Sequence, residues 1–334
     1  MLGRLQLSDV GLLVTIGIVS AALCSGILAL LLRTGWAWDI AVDIPNHRSL
    51  HERPIPRVGG WGVLPTAVLA IVLFAPSLRW IAASAVLLGV VSQIDDRQGL
   101  PARVRFAAHV LAVAVAVVAG ANGISWWFAI VVGVALVWLV NLYNFMDGSN
   151  GLAGGMTLFG FATYALAASS THGELASICA AVAGAAVGFL LFNFQPARVF
   201  LGDMGSIPLG FLAGALGYWG WQHGAWPVWM PPLVFAPFIA DATVTLLRRL
   251  ARGERFWEAH RQHYYQRLVQ MTGSHVRVAL TYGALMLCGS VLAITATRTT
   301  TAMQWTMCIA WYGVLAVVGL CIDAKWRHWS RAAG

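Results

Sequence analysis

Apolar runs dominate this chain and recur about eleven times between short charged or Gly/Pro-rich breaks. They fall near residues 10–32, 60–76, 79–94, 105–121, 124–146, 152–170, 176–194, 206–222, 228–247, 277–296 and 303–322. A helix needs about 20 apolar residues to cross the hydrocarbon core of a bilayer. In lipid each backbone N–H and C=O must also be satisfied within its own segment, which a helix does. The pattern predicts an all-α polytopic membrane protein with about eleven transmembrane helices. Ten is the alternative count. Residues 60–76 and 79–94 share the break Ala75-Pro76-Ser77, and a re-entrant pair is the alternative for them; Arg79 in that break favours a true hairpin. Composition agrees, since 59% of the 334 residues are hydrophobic and 10% charged, against about 45–50% and about 25% in soluble domains. So little charge cannot cover a water-facing surface, which excludes a soluble enzyme and a disordered chain. Cys24, Cys179, Cys288, Cys308 and Cys321 all lie in apolar runs without a CxxC pair, which excludes a disulfide or zinc framework. The run from Val10 to Leu32 exceeds the 7–15 residues of a signal-peptide core and is expected to remain as a span.

The net charge of +8 has to be read against these spans. Threading the chain alternately across the bilayer puts 33–59, 95–104, 147–151, 195–205, 248–276 and the C-terminus on one side. Of the 21 basic residues, only Arg4, Arg79 and Arg298 fall on the other. The positive-inside rule makes the first side cytoplasmic. The basic excess therefore expresses topology, and nucleic acid is not expected as a partner. No internal repeat or soluble domain is evident, so 1–334 reads as a single integral membrane domain.

Nearly all acidic residues fall on that same side. Ionisable groups at a membrane boundary are costly and are functional candidates for that reason. Asp95 and Asp96 end the third span, where the negative end of the helix dipole disfavours them. Either a cation or a bound group offsets them, or they form a solvated helix end paired with Arg97 or Arg103. Asn141, Asn144 and Asp147 close the fifth span at spacings of three and can line one helix face. Their oxygens suit a hard cation or a sugar, while two Asn inside a span equally suit a helix–helix bond. Asp203 sits between Gly202 and Met204-Gly205 ahead of the eighth span, as a ligand or as a simple N-cap. The 248–276 loop carries His260, Arg261, His263 and Arg267; if helical, His260, His263 and Arg267 share a face suited to a diphosphate. The alternative for this loop is an amphipathic helix anchored at the headgroups by Phe256 and Trp257. The first loop adds His47, Arg48, His51 and Arg57 among prolines and glycines, with Arg57 a candidate phosphate ligand. Carboxylates ringed by Arg and His at one membrane face fit phosphoryl transfer with Mg²⁺. A transporter or flippase is the rival from another class, but it places ionisable groups near the bilayer midplane.

These motifs resemble the polyprenyl-phosphate N-acetylhexosamine-1-phosphate transferases, the membrane family that includes WecA, WbpL and MraY. The likeness runs in order through His51-Glu52-Arg53-Pro54-Ile55-Pro56-Arg57-Val58-Gly59-Gly60, Asp95-Asp96, Asn141-x-x-Asn144-x-x-Asp147-Gly148, Phe200-Leu201-Gly202-Asp203-x-Gly205-Ser206 and the His/Arg loop. It implies transfer of an N-acetylhexosamine 1-phosphate from a UDP-sugar to undecaprenyl phosphate in the bacterial inner membrane, starting O-antigen or another surface polysaccharide. It implies Mg²⁺, with Mn²⁺ as a substitute, and leaves a homodimer open. It would make Asp203 a metal ligand, with Asp95 and Asp96 organising the acceptor phosphate and Asp147 and Asn144 holding metal or nucleotide sugar. His260, Arg261 and His263 would meet the sugar diphosphate. The family's last motif often carries three histidines. Here it reads His260-Arg261-Gln262-His263, closer to the WbpL type than to the UDP-MurNAc-pentapeptide transferases.

Overall fold

All but one of the expected spans fold as a single helix in the computed structural model, which describes residues 7–45, 52–255 and 260–333. In chain order these are α1 (Leu7–Thr34), the short α2 (Trp36–Ile40), α3 (Gly59–Phe74), α4 (Arg79–Gln98), α5 (Ala102–Gly120) and α6 (Trp126–Phe145). They continue with α7 (Leu152–Ala168), α8 (Gly173–Asn193), α9 (Asp203–Gln222), α10 (Met230–Val234), α11 (Ala236–Ala251), α12 (Tyr264–Thr272), α13 (His275–Ala296) and α14 (Thr301–Ala333). Among the described residues, seven helices are long and apolar enough to cross a membrane: α1, α4, α5, α6, α8, α13 and α14. The protein is an all-α, multi-pass membrane protein. The predicted span 228–247 is broken into α10 and α11 at Phe235, within a stretch holding Pro231, Pro232 and Pro237, where missing N–H groups and ring clashes interrupt a ladder. The predicted loop 33–59 also holds β1 (Val42–Asp43) and β2 (Ile55–Pro56), an antiparallel pair with Val42 opposite Pro56. His47, Arg48, His51, Phe256 and Trp257 lie outside the described residues.

Burial is distributed unevenly. Around α1 and α6 large apolar side chains such as Ile18, Val19, Ile130 and Val134 face outward, as a lipid-facing helix requires, whereas α8 and α9 are enclosed along most of their length. Small residues make that enclosure close: a Cβ on Gly184 would collide with the backbone of Gly17, and one on Gly188 with the carbonyl of Ala21. Without hydrophobic drive between helices in lipid, such backbone-to-backbone approach is what holds them.

The bundle has two distinct ends. One gathers the turns after α6, before α9, and around α12. At the other, the Asn122 amide donates to Gln222 Oε1 (3.0 Å) and Trp229 Nε1 donates to Gln304 Oε1 (3.0 Å). The described parts of the loops assigned to the basic side from sequence meet at the first end. Exposed Trp36 and Trp38 near that end, and Trp126 and Trp127 at the other, sit where aromatic belts meet headgroups.

Candidate active site

The site begins with a backbone splice between two loops distant in sequence. Phe200 N donates to the Pro56 carbonyl (2.9 Å), Gly59 N to the Phe200 carbonyl (2.8 Å) and Gly60 N to the Leu201 carbonyl (2.9 Å). The approach is close enough that a Cβ on Gly60 would stand 2.5 Å from Gly205 N. Gly202 takes φ +72°, a left-handed conformation that glycine adopts without strain. The Val58-Gly59-Gly60 and Leu201-Gly202 stretches therefore serve packing, and their effect is to set Arg57 beside the start of α9.

Around Arg57 stand four carboxylates. Its Nη2 lies 2.9 Å from Asp43 Oδ1 and its Nη1 3.6 Å from Asp96 Oδ1. Asp203 is in electrostatic reach of Arg57, Asp95 and Arg105, and Asp147 in reach of Asp203, Arg57 and Asp43. Asp203 is not the N-cap of α9; Gly202 holds that position with no side-chain cap, leaving the Asp203 carboxylate in the first turn at the positive end of the helix dipole. Asn144 hydrogen-bonds Asp203 and accepts from Ser206 Oγ (2.8 Å), tying α6 to α9. Asp147 follows α6 in the connecting turn. Burial pushes its carboxyl well above the ordinary carboxylate range, and the nearby Asp203 charge adds to that.

The adjacent pair Asp95-Asp96 divides its work. Asp95 Oδ1 accepts from Leu100 N (2.6 Å) and Oδ2 meets Arg105 Nη1 (2.9 Å), closing the turn into α5. Arg105, not Arg97 or Arg103, is its cation; Arg97 Nε bonds the Ile40 carbonyl (3.3 Å). Asp96 Oδ2 is buried with no hydrogen-bond partner, an arrangement that native interiors rarely tolerate. Asn141 takes a different course from Asn144: its Nδ2 donates to the Val137 carbonyl of its own helix (2.7 Å) and its side chain meets His109 on α5. The helix–helix reading fits Asn141, and Asn144 alone of the two reaches the carboxylates.

The histidine loop is built on a residue that carries no sequence signal. Asp241, nearly fully buried on α11, accepts from the backbone N–H of Tyr264 (2.8 Å) and Tyr265 (3.0 Å) and from the Tyr282 hydroxyl. Two of the free N–H groups that open any helix are thereby satisfied, so α12 starts at Tyr264 and His263 becomes its N-cap. The continuous helix expected over His260, His263 and Arg267 is replaced by an irregular turn. The rings of His260 and His263 still lie 4.8 Å apart. His263 is buried, with Nδ1 3.4 Å from Asp241 Oδ1 and its ring stacked between Phe145 and Tyr265. Tyr265 donates to the Phe145 carbonyl (3.0 Å) and lies against Gly148, where a Cβ would strike its hydroxyl. That contact brings the loop against the Asp147 turn. The His260 pKa is lowered to about 4 by burial, next by the neighbouring His263 and Arg249. Its Nδ1 accepts from Gln262 N (3.2 Å), which leaves Nε2 as the N–H of a neutral ring. Arg261 lies beside it, partly exposed. Glu254 accepts from Arg249 Nε (2.8 Å) and Gln262 Nε2 (3.1 Å), fastening the turn to α11.

The donor set at Arg57 consists of carboxylate and amide oxygens, which suits a hard divalent cation. Among the described residues no three His, Cys, Asp or Glu stand close enough to hold an ion alone. Mg²⁺ is ordinarily bound by one or two carboxylates with water and substrate phosphates completing its shell, so the unpartnered Asp96 oxygen and nearby Asp203 and Asp147 fit it.

Carboxylates, arginine and histidine are thus collected at one end of a helical membrane protein. Residues 78–220, which hold Asp95, Asp96, Asn144, Asp147 and Asp203, match the model of glycosyl transferase family 4. It is 28% identical over 286 residues to a probable undecaprenyl-phosphate N-acetylglucosaminyl 1-phosphate transferase of Bacillus subtilis, covering 79% of each chain. It is 28% identical over 314 residues to the undecaprenyl-phosphate alpha-N-acetylglucosaminyl 1-phosphate transferase of Yersinia pestis (86% of this chain, 85% of the relative). Identity to the decaprenyl-phosphate N-acetylglucosaminephosphotransferase of Mycobacterium tuberculosis is 29% over 294 residues, 72% of each. A phospho-N-acetylmuramoyl-pentapeptide-transferase of Moorella thermoacetica reaches 43%, but over only 94 residues, or 28% of this chain.

Proposed function

We propose that this protein transfers N-acetylglucosamine 1-phosphate from its UDP-sugar to undecaprenyl phosphate in the bacterial cytoplasmic membrane, releasing UMP. The observation that carries this reading is the convergence of Asp96, Asp147 and Asp203 around Arg57 at the basic end of the bundle, with one Asp96 oxygen left without a partner. The near full-length relatives supply the sugar and the lipid class. The lipid-linked sugar would then start a surface polysaccharide of the O-antigen kind.

The acceptor needs little activation. A phosphate monoester has a second pKa of about 6 and is mostly a dianion at neutral pH, so no general base is required. In this mechanism an acceptor phosphate oxygen attacks the sugar-bearing phosphorus in line, the bond from that phosphorus to the bridging oxygen breaks, and UMP departs with that oxygen. Asp203 and Asp147, with the free Asp96 oxygen, would hold Mg²⁺, which when bound offsets the charge of the diphosphate. Arg57 supplies two parallel donors to a phosphate and is already oriented by Asp43. Asp95 keeps the α4–α5 turn and Arg105 in place. His260 offers a neutral Nε2–H to the sugar diphosphate, and Arg261 beside it adds charge.

The test uses purified protein in detergent with undecaprenyl phosphate, Mg²⁺ and a panel of UDP-N-acetylhexosamines, following UMP release and lipid mass. UDP-N-acetylglucosamine should give UMP and a lipid-diphosphate sugar, with activity lost in EDTA, restored by Mg²⁺ or Mn²⁺, and absent in Asp203→Asn. No lipid product from folded protein with any donor would overturn the reading.

A further inference from the structure

The last helix carries a carboxylate that belongs to none of the motifs. α14 has 33 residues, about 50 Å at 1.5 Å per residue, well beyond the roughly 30 Å of a hydrocarbon core. Its final turns therefore run on past the bilayer at the basic end. Asp323 stands where they emerge. Its two oxygens meet the fork of Arg248 on α11 at 2.9 and 2.7 Å. Oδ1 also takes Arg267 Nη1 of α12 at 2.8 Å, and Oδ2 accepts the Tyr264 hydroxyl at 3.2 Å. One turn earlier, Gly319 makes room for the same tyrosine, since a Cβ there would lie 3.0 Å from its hydroxyl. The Arg248 and Arg267 guanidiniums lie over the Tyr264 ring at 5.3 and 5.7 Å, and Arg267 also lies over Trp326 of α14 at 5.6 Å. With side-chain exposures of 14% for Asp323 and 11% for Arg267, this pairing is largely removed from water, where charge-assisted bonds are strong.

These contacts converge on Tyr264. Its backbone N–H is held by Asp241 and its ring by Asp323, Gly319 and two arginines, and it directly follows His263. The loop bearing His260 and His263 thus faces Asp147 on one side and is braced from behind by α14. We propose that Asp323 is a positioning residue for the sugar-diphosphate donor, acting through Tyr264, Arg267 and Arg248 to fix the histidine loop against the Asp147 turn. This rests on the transferase reading above. Asp323 itself is assigned no contact with substrate.

The experiment uses the full-length protein in detergent and compares wild type, Asp323→Asn, Asp323→Glu, Arg267→Gln and the Asp323→Asn/Arg267→Gln double variant. Asp323→Asn should raise KM for UDP-N-acetylglucosamine about tenfold, the scale of lost outer-shell support, with KM for undecaprenyl phosphate within about twofold of wild type. Asp323→Glu, which keeps the charge, should recover most of the donor affinity. The double variant should be no worse than the poorer single one, because both changes cut the same link. Amide hydrogen exchange should accelerate over residues 260–272 in Asp323→Asn and stay unchanged in α3 and α9. That readout needs no turnover, so it separates failure of this proposal from failure of the transferase reading, which the wild type alone would reveal. Unchanged exchange over 260–272, or donor and acceptor KM rising together, would overturn the positioning role.

Discussion

Asp96 and Asp241 are both carboxylates near the basic end of the bundle, on α4 and α11, and the protein treats them oppositely. Asp241 is bonded to two backbone N–H groups and a tyrosine hydroxyl, and Thr245 Oγ1 adds a longer contact at 3.3 Å. Asp96 has an arginine at 3.6 Å on one oxygen and nothing on the other. The surroundings explain the difference. Near Asp96 the scaffold is made rigid by backbone bonds between residues 56–60 and 200–201, so Asp96 itself is not needed as glue. Around the histidine loop the backbone is irregular and side chains such as Asp241, Glu254 and Asp323 fasten it. Acidic groups that hold the histidine loop are bonded to several partners, whereas one Asp96 oxygen is left with an open valence.

That contrast can be broken by substitution. The largest effect is expected in the Arg57 cluster: Asp96→Asn and Asp203→Asn should each lower UMP release about 10³-fold, the scale of removing a preorganised charge at a reacting phosphoryl group. Their melting temperatures should stay level or rise, since like charges are thinned in a site kept strained for function. Asp241→Asn should do the reverse of this, costing about 3 kcal/mol of unfolding free energy as a buried, bonded charge is removed, read by denaturation in detergent. If Asp96→Asn were to destabilise as much as Asp241→Asn, the division into open and saturated groups would fail.

A third, smaller effect concerns pH. The His260 pKa is lowered to about 4 from a usual 6.5. Between those values the unfolded chain binds the proton and the folded one does not, so stability falls as pH drops from 6.5 towards 4. Relative to His260→Gln, wild type should lose melting temperature over that window and match the variant's trend above it. A falling difference above pH 7 would contradict a neutral His260. The smallest effect is expected at Asn141: Asn141→Ala should change donor KM by less than about threefold, while Asn144→Ala, which loses its bond to Asp203, should change it by about tenfold.

Much of this was legible in the amino-acid order. Apolar runs located the helices because each must supply its length in lipid, and alternate threading of those runs grouped the loops that meet. The grouping of Asp96, Asp147, Asp203 and the His/Arg loop at one end followed from that threading. What stayed hidden depends on direction and partnership. Asp95 and Asp96 differ by one residue, about 100° around a helix, and spacing does not say which one faces Arg57. Asp241 lies inside an apolar run, and its partners are Tyr264 and Tyr265, more than twenty residues further on. The start of α12 depends on that pairing, so the helix expected through His260 and His263 could not be corrected without it. Asp43 and Asp323 likewise have meaning only through the arginines they meet.

The splice between the Pro56–Gly60 stretch and Phe200–Leu201 has a consequence for how the protein is made. Its two strands of chain are separated by about 140 residues, which a ribosome takes on the order of ten seconds to add. During that interval α3 through α8 enter the bilayer while Arg57 has no α9 to lie against. The early loop must wait at the membrane surface with its backbone donors bonded to water, and the catalytic end closes only when the eighth long helix arrives. Assembly of the site is thus timed by synthesis of α9, and a chain truncated before Phe200 would thread its early helices without ever bringing Asp203 to Arg57.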